Sequence, residues 1–600
     1  MNSTNSVPLQ ALFGIFAAFS VALLITSFPN ANGLTSDSAV HLRLQSPLRQ
    51  FLSGIPARDT ECRAGLHLIV KSGGGMPACV SEDTAKALAR RQWGHEIKPD
   101  LAGSGNITGT VCSYFQQIRG NRTQLLDFFK IMPKGGDLHN HLSGSISPED
   151  LINLAIRKGL CYNSASYALV KPGKSGCTGS NIFPVSRTQE NLTAREMLIK
   201  SWSFQGFNYS SGESPHDHFF EAFGKIDAVT KFIPEMLGYW RKTNTEENME
   251  YAEVMYTDPF ASNEIKALTD GMARSGITVN ASDFQTAYDF LKGQIDGQGI
   301  AQKSVQNYIT NDTKSREFCG TYCDTTFRYI FQISRNYPLP RVFATMVMGF
   351  EIANQTLANH ANPVVAVNMV GPEDGQYSMN NYTVHMNMLD FLKRKYPHVN
   401  ITLHAGELSS SLHDITREDM TSHIYQAINT GHAQRIGHGV DIQSELKDRP
   451  SLIAEMRQKK IAVEVPLTSN FIILNVTAAE HPFPFYLENG VAVAPSSDDQ
   501  GILDTNMSNE YAILATDYPQ VNYTEIKDLV RNTLEYSFLP GKSLWKDPGE
   551  YSIELPQCNN LTYTGNCWKK GTDEKATYQF ELEQKLDRFE SYIYHSLGHP

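Results

Sequence analysis

The stretch Ile401-Thr402-Leu403-His404-Ala405-Gly406-Glu407 sets the pattern for the chain. A short apolar, β-branched run reads as a strand, and it ends in two ionisable side chains. The pattern recurs downstream, where Arg435-Ile-Gly leads into His438-Gly-Val-Asp441 and Val491-Ala-Val-Ala-Pro-Ser-Ser leads into Asp498-Asp499. Strand candidates separated by helical stretches fall at Gly136–His141, Tyr251–Thr257, Arg341–Gly349, Val364–Gly371, Ile401–Ala405, Arg435–Gly439, Ile461–Pro466 and Val491–Ser497. Eight such units predict an α/β fold of the (β/α)8 TIM-barrel type, with its chemistry at the C-terminal ends of the strands. A doubly wound sheet is the rival architecture, but no Gly-x-Gly-x-x-Gly turn follows any strand.

The first strand ends in Lys134-Gly-Gly-Asp-Leu-His139-Asn-His141-Leu-Ser-Gly-Ser145. Histidines at i and i+2 of a strand share a face, so both imidazoles can point at one ion. Taken singly, each feature has an ordinary explanation. His139 and His141 suit a polar turn, His404 a buried histidine bonded to backbone, and Glu407 a solvated loop carboxylate. Asp498-Asp499 suits a helix N-cap worth about 1 kcal/mol. Jointly, three histidines and a carboxylate on one barrel rim make the donor set of a catalytic transition-metal site, whereas calcium would call for more oxygens.

The rest of the chain frames this rim. Six hundred residues with a formal charge of -11 and no basic run carry neither a nucleic-acid footprint nor a polybasic membrane patch. From Ala11 to Phe28 the chain is almost wholly apolar and is followed by Pro29-Asn-Ala-Asn-Gly33, the layout of a signal peptide with its cleavage zone. The run approaches the length of a membrane span, so an uncleaved signal anchor is the alternative. Asn-x-Ser/Thr acceptors recur at Asn106, Asn121, Asn191, Asn208, Asn280, Asn311, Asn354, Asn381, Asn400, Asn475, Asn506, Asn522 and Asn560, which fits a secreted glycoprotein. The nine cysteines sort into the neighbours Cys62/Cys79, Cys161/Cys177, Cys319/Cys323 and Cys558/Cys567, leaving Cys112. In an oxidising compartment these are short-loop disulfides with a structural role.

The expected organisation is a signal segment over residues 1–31, a helical extension over 32–130, a barrel over 131–540 and a C-terminal extension over 541–600 that ends in a helix. Amphipathic segments at Ala85–Trp93 and Leu125–Ile131 carry the N-terminal extension, and Pro148–Arg157 reads as a helix with Ser147 as its N-cap. A polar insertion from Cys161 to about Ser214 interrupts the barrel. The extension and the insertion could build a homodimer interface. The spacing of Phe580, Leu582, Leu586, Phe589, Ile593 and Leu597 predicts a terminal packing helix.

The set His-x-His, His-Ala-Gly-Glu, Ile-Gly-His-Gly and Ser-Asp-Asp, in this order, resembles the adenosine/AMP deaminase family of metal-dependent hydrolases over residues 131–530. The signal segment, the extension, the lead-in Met132-Pro-Lys-Gly-Gly136 and the cysteine-bracketed insertion look similar to the secreted adenosine deaminase-related growth factors. The resemblance implies that His139, His141, His404 and Asp498 hold one Zn2+. It further implies that Glu407 protonates purine N1, that His438 orients water and steadies the developing oxyanion, and that Asp498 can accept the water's proton. Asp499 would contact N7, and the Gly371 N–H would face N3. The implied substrate is a small purine nucleoside, adenosine or 2'-deoxyadenosine, with another 6-aminopurine, or a growth-factor-like binding role, as the alternatives.

Three departures bear on the substrate. Ser143 stands where intracellular adenosine deaminases have an Asp reaching the ribose hydroxyl, Gln500 replaces the usual Pro, and Pro466-Leu-Thr-Ser-Asn470 is a loose version of the family's motif after the seventh strand.

Overall fold

Eight parallel strands run in sequence order around a barrel: β1 (Gly136–His141), β2 (Tyr251–Met255), β3 (Thr326–Ser334), β4 (Val364–Val370), β5 (Asn400–Ala405), β6 (Arg435–His438), β7 (Ala462–Val465) and β8 (Val493–Pro495). They belong to a computed structural model that describes residues 104–598, apart from 281–282, 322, 360–362, 548 and 555–571, together with a few residues and three strands between 62 and 96. An isolated parallel bridge between Asn140 and Asp498 joins the last strand to the first. Every residue of β1, β2, β6, β7 and β8 is buried. Helices cover the outside while side chains fill the inside, so that even the polar β1, Gly-Asp-Leu-His-Asn-His, is wholly buried.

Seven strands lie where the sequence pattern puts them, and the third does not. Arg341–Gly349 is part of the helix Leu339–Asn359, and the strand is the preceding Thr326–Ser334. In that helix Val342, Phe343, Ala344, Met346, Val347, Met348 and Phe350 are all inaccessible to solvent. A helix buried on several sides loses its 3.6-residue pattern and imitates a strand.

The additions pack against the barrel. Residues Cys161–Asn163, Leu169–Val170 and Ile182–Pro184 form a small antiparallel sheet, and Cys161 is disulfide-bonded to Cys177. Its strands are short, and a disulfide restricts the unfolded alternatives of such a segment. After it comes helix α1 (Pro215–Thr230), with Pro at its first turn and the Ser214 side chain accepting the Asp217 N–H. Ser147 caps Pro148–Arg157 in the expected way.

The N-terminal extension contains the helices Ser104–Ile118 and Arg122–Ile131, and also an antiparallel sheet of Pro77–Val80, His67–Lys71 and Gly94–Glu96 that the helical expectation lacked. Disulfides join Cys62 to Cys79 and Cys319 to Cys323. The terminal helix Glu574–Ser596 buries Leu582, Leu586, Phe589 and Ile593, and Leu597 remains exposed. Glu583 pairs with Arg531 at 2.8 Å, tying the terminal helix to the barrel's last helix, and Glu590 accepts from Thr108 at 2.6 Å, tying the two extensions to each other. The signal-segment reading of residues 1–31, most of Ala85–Trp93 and the Cys558/Cys567 pairing lie outside the described residues. No described helix is long and apolar enough to cross a membrane.

Candidate metal centre and active site

The strand ends bring His139 and His141 of β1, His404 of β5, His438 of β6 and Asp498 beyond β8 to one point. One donor atom from each of His139, His141 and His404 lies within 4.8 Å of the others, and the same holds for His139, His438 and Asp498. Asp498 Oδ1 is 3.5 Å from His141 Nε2 and 3.7 Å from His139 Nε2, while His141 Nε2 and His404 Nε2 are 3.2 Å apart. All five side chains are buried.

Local backbone makes this convergence possible. Asp498 adopts φ +55° and His438 φ +66°, left-handed conformations that non-glycine residues rarely take outside functional sites. The Asp498 N–H donates to His139 O at 2.9 Å, so the carboxylate is fixed to the strand that carries two of the histidines. Gly437 is required for a different reason: a Cβ there would lie 2.6 Å from Cε1 of His139.

Each imidazole is held through its far nitrogen. His139 Nδ1 is 2.7 Å from Glu464 Oε2, His404 Nδ1 is 3.0 Å from Asn368 Oδ1, His438 Nδ1 is 2.8 Å from Asn470 Oδ1, and His141 Nδ1 contacts the Gln332 amide at 2.5 Å. Such partners keep the proton on Nδ1 and leave the Nε2 lone pair pointing inward, the arrangement of metal-ligating histidines. For His141 this requires the Gln332 carbonyl oxygen, not its nitrogen, toward the ring. Ser469 donates to Asp498 Oδ2 at 2.7 Å and leaves Oδ1 free.

Buried atoms without partners supply the test of fit. Among the described residues His139 Nε2, His438 Nε2 and Asp498 Oδ1 have no hydrogen-bond partner, although such groups are rarely left orphaned in a core. Burial lowers the His141 pKa to about 4 and holds His404 well below its ordinary value, so both are neutral donors at pH 7. Three imidazoles, two of them held neutral, and a carboxylate suit zinc or a similar divalent transition metal. The site is a His/Asp metal-binding site.

A cavity of about 200 Å3 opens beside it. Its lining includes His141, His404, Glu407, Asp498, Asp499 and Gly371, and also Ser143, Gln332 and the α1 residues Phe219, Phe220 and Phe223. Glu407 Oε1 is 3.6 Å from His438 Nε2. Burial, reinforced by the charges of Asp498 and Glu373, raises the Glu407 carboxyl well above the usual range. Burial and the neighbouring Asp498 charge act on Asp499 in the same direction. Gly144 gives Asp499 its room, since a Cβ there would lie 1.9 Å from Asp499 Oδ1. Gly371 has φ +95° and turns the chain at the end of β4. Gln500 is buried at the start of Gln500–Leu503 and does not line the cavity.

The residues that orient the histidines were not singled out by sequence. Glu464 sits within an apolar run, where a carboxylate in a fully buried strand was the available signal. Ser469 and Asn470 fall inside the motif after the seventh strand, on helix α2 (Leu467–Leu474), but nothing local reveals whom they touch. The aromatic wall Phe219, Phe220 and Phe223 gave no signal separable from ordinary helix packing.

A sequence profile described as adenosine deaminase matches residues 299–545, which takes in the strand ends from β3 to β8. An adenosine deaminase from Clostridium kluyveri is 29% identical over 424 residues, covering 70% of this chain and 94% of that protein. By these matches the chain is similar to the adenosine deaminases. An Enterococcus faecalis adenosine deaminase is 38% identical over 140 residues, a stretch that spans 23% of this chain and 37% of that relative. The structure of Arabidopsis ADAL complexed with IMP covers 77% of this chain and 99% of its own, at 16% identity and a TM-score of 0.45.

Proposed function

We propose that the protein is an adenosine deaminase-type aminohydrolase that converts adenosine, and 2'-deoxyadenosine, to the 6-oxo nucleoside and ammonia. One observation carries this: the unpartnered inner atoms of His139, His438 and Asp498 meet the His141/His404 pair at the wall of a cavity that also presents Glu407. In this reading His139, His141, His404 and Asp498 hold one Zn2+. When bound, zinc supplies Lewis acidity that can lower the pKa of water to about 7.

The chain's residues do the rest. Glu407 holds its proton toward N1, which makes C6 electrophilic, and its raised pKa keeps that proton in place at neutral pH. His438, with Nδ1 fixed by Asn470, presents its Nε2 lone pair to the attacking water and orients it. Asp498 Oδ1 accepts the water's proton. Asp499 contacts N7 and the Gly371 N–H faces N3. Phe219, Phe220 and Phe223 offer apolar surface to the substrate and exclude water.

Among the described residues no Lys or Arg lines the cavity, which favours a nucleoside over a nucleotide. Secretion is part of the proposal: the acceptor asparagines and the Cys62–Cys79, Cys161–Cys177 and Cys319–Cys323 disulfides support an oxidising compartment. The test is the ultraviolet spectrum of adenosine, deoxyadenosine, adenine and AMP with purified zinc-loaded protein. Turnover of the nucleosides is expected. Failure on the whole panel would overturn the enzyme reading, and turnover of AMP or adenine alone would reassign the substrate.

A further inference from the structure

The loop that carries Glu407 is gripped by a second carboxylate from the neighbouring strand. Glu373, just beyond β4, is fully buried and accepts the N–H of Glu407 at 2.8 Å through Oε2 and that of Gly406 at 3.2 Å through Oε1. Two successive N–H groups facing one anion form a nest, and Gly406 provides its left-handed corner with φ +75°. The corner is closed from behind, because Gly406 O accepts from Val440 N at 2.8 Å and Asp441 N at 3.3 Å. No side chain fits there, since a Cβ on Gly406 would lie 2.4 Å from Asp441 Oδ1.

Glu373 is itself anchored on two sides. His423 Nδ1 lies 2.5 Å from Oε1, and its ring stacks on Tyr382 with centroids 3.6 Å apart and planes within 2°. The buried Arg335 guanidinium stands 3.9 Å from Oε2 and donates through Nη2 to His404 O at 2.7 Å and Met369 O at 2.9 Å. One guanidinium therefore ties the backbone of a metal-ligand residue to the carboxylate that holds the acid's loop.

Resting on the deaminase reading above, we propose that Glu373, backed by Arg335 and His423, is the positioning residue for Glu407, fixing where its carboxyl points relative to the metal centre. The charge of Glu373 has a second consequence. The charged and titratable groups around Glu407 are Asp498 and Asp499 beyond β8, Glu373 and Asp374 beyond β4, Arg335 beyond β3 and His438 on β6. Glu373 itself faces His423, Arg335, Asp441 and Glu445. Of the negative neighbours, Glu373 is the one bonded to the loop itself, and its charge favours the protonated form of Glu407.

Two variants of the zinc-loaded full chain separate position from charge. Glu373→Gln keeps the size, loses the charge and leaves one oxygen for two N–H groups. Glu373→Asp keeps the charge but falls a methylene short. Misplacing an acid by about 1 Å costs on the order of 100-fold. Both variants should lose about 10- to 100-fold in kcat, with KM and bound zinc per chain near wild type. In the Gln variant alone the high-pH limb of kcat should move to lower pH. Wild-type kcat and pH profile in Glu373→Gln would overturn the inference, as would a loss in both variants confined to KM or accompanied by loss of zinc. If Glu373→Gln fails to fold, Glu373→Asp decides on kcat alone. A wild-type protein inactive on every 6-aminopurine would instead overturn the deaminase reading, so the two failures are distinguishable.

Discussion

At the scale of single residues, the site depends on carboxyl groups in opposite protonation states. Glu464 is buried, yet the Arg435 charge and its bond to His139 hold its pKa down to about 2. Glu407 is buried without such compensation and is driven upward. In the proposed mechanism Glu407 is the acid, so its useful form exists below its raised pKa and disappears as pH rises through it. The rate should therefore fall on the alkaline side, which a kcat–pH profile will show; a rate that stays level throughout the alkaline range with zinc retained would contradict the assignment. Glu407→Gln removes the proton without changing the shape. It should lower kcat by about 100- to 10,000-fold while zinc content measured by atomic absorption remains near one per chain.

At the scale of elements, ligand placement depends on how closely neighbouring strands approach. β6 passes so near the His139 ring that its backbone must be glycine at position 437. Gly437→Ala should push the ring away from its Glu464 bond and weaken zinc binding by about 10- to 100-fold, the usual cost of disturbing an outer partner of a metal ligand. Competition with a chelator of known affinity measures this, and an unchanged zinc affinity would show that β6 yields instead. The same closeness explains what was legible in the sequence. His139, His141, His404, Glu407, His438, Asp498 and Asp499 each lie in the last residues of a strand or just beyond it, so local motifs expose them. Their partners Asn368, Glu464, Gln332 and Asn470 come from other strands or the helix beyond β7 and meet them only once the barrel closes. The helix Leu339–Asn359 was misread because burial on several sides erased its period. The true β3, Thr326–Ser334, alternates half-buried and buried positions at its ends but is buried through its middle.

At the scale of the whole molecule, the metal centre sits on the barrel's weakest seam. β3 and β4 pair along a register running from Tyr329↔Val364 to Ser334↔Val370, whereas β8 meets β1 through the isolated Asn140–Asp498 bridge. The backbone bonds of that bridge are Asp498 N to His139 O at 2.9 Å and His141 N to Asp498 O at 3.4 Å. Three residues of the seam are also the proposed ligands, and a fourth ligand, His404, stands on β5 across the barrel. A bound ion would thus cross-link β1, β5 and the end of β8, adding a constraint where backbone pairing is sparsest. Removing it leaves the Asp498 carboxylate buried beside unpartnered histidine nitrogens, and forfeits a linkage term of about 4 kcal/mol when free zinc stands 1,000-fold above its Kd. Treatment with a strong chelator should lower Tm by several degrees, and added zinc should restore it. Hydrogen exchange localises the effect: the amides of His141 and Asp498 should lose protection on chelation while those of β3 and β4 keep theirs. Equal loss across all strands would mean that the ion stabilises the barrel globally and does not close its seam.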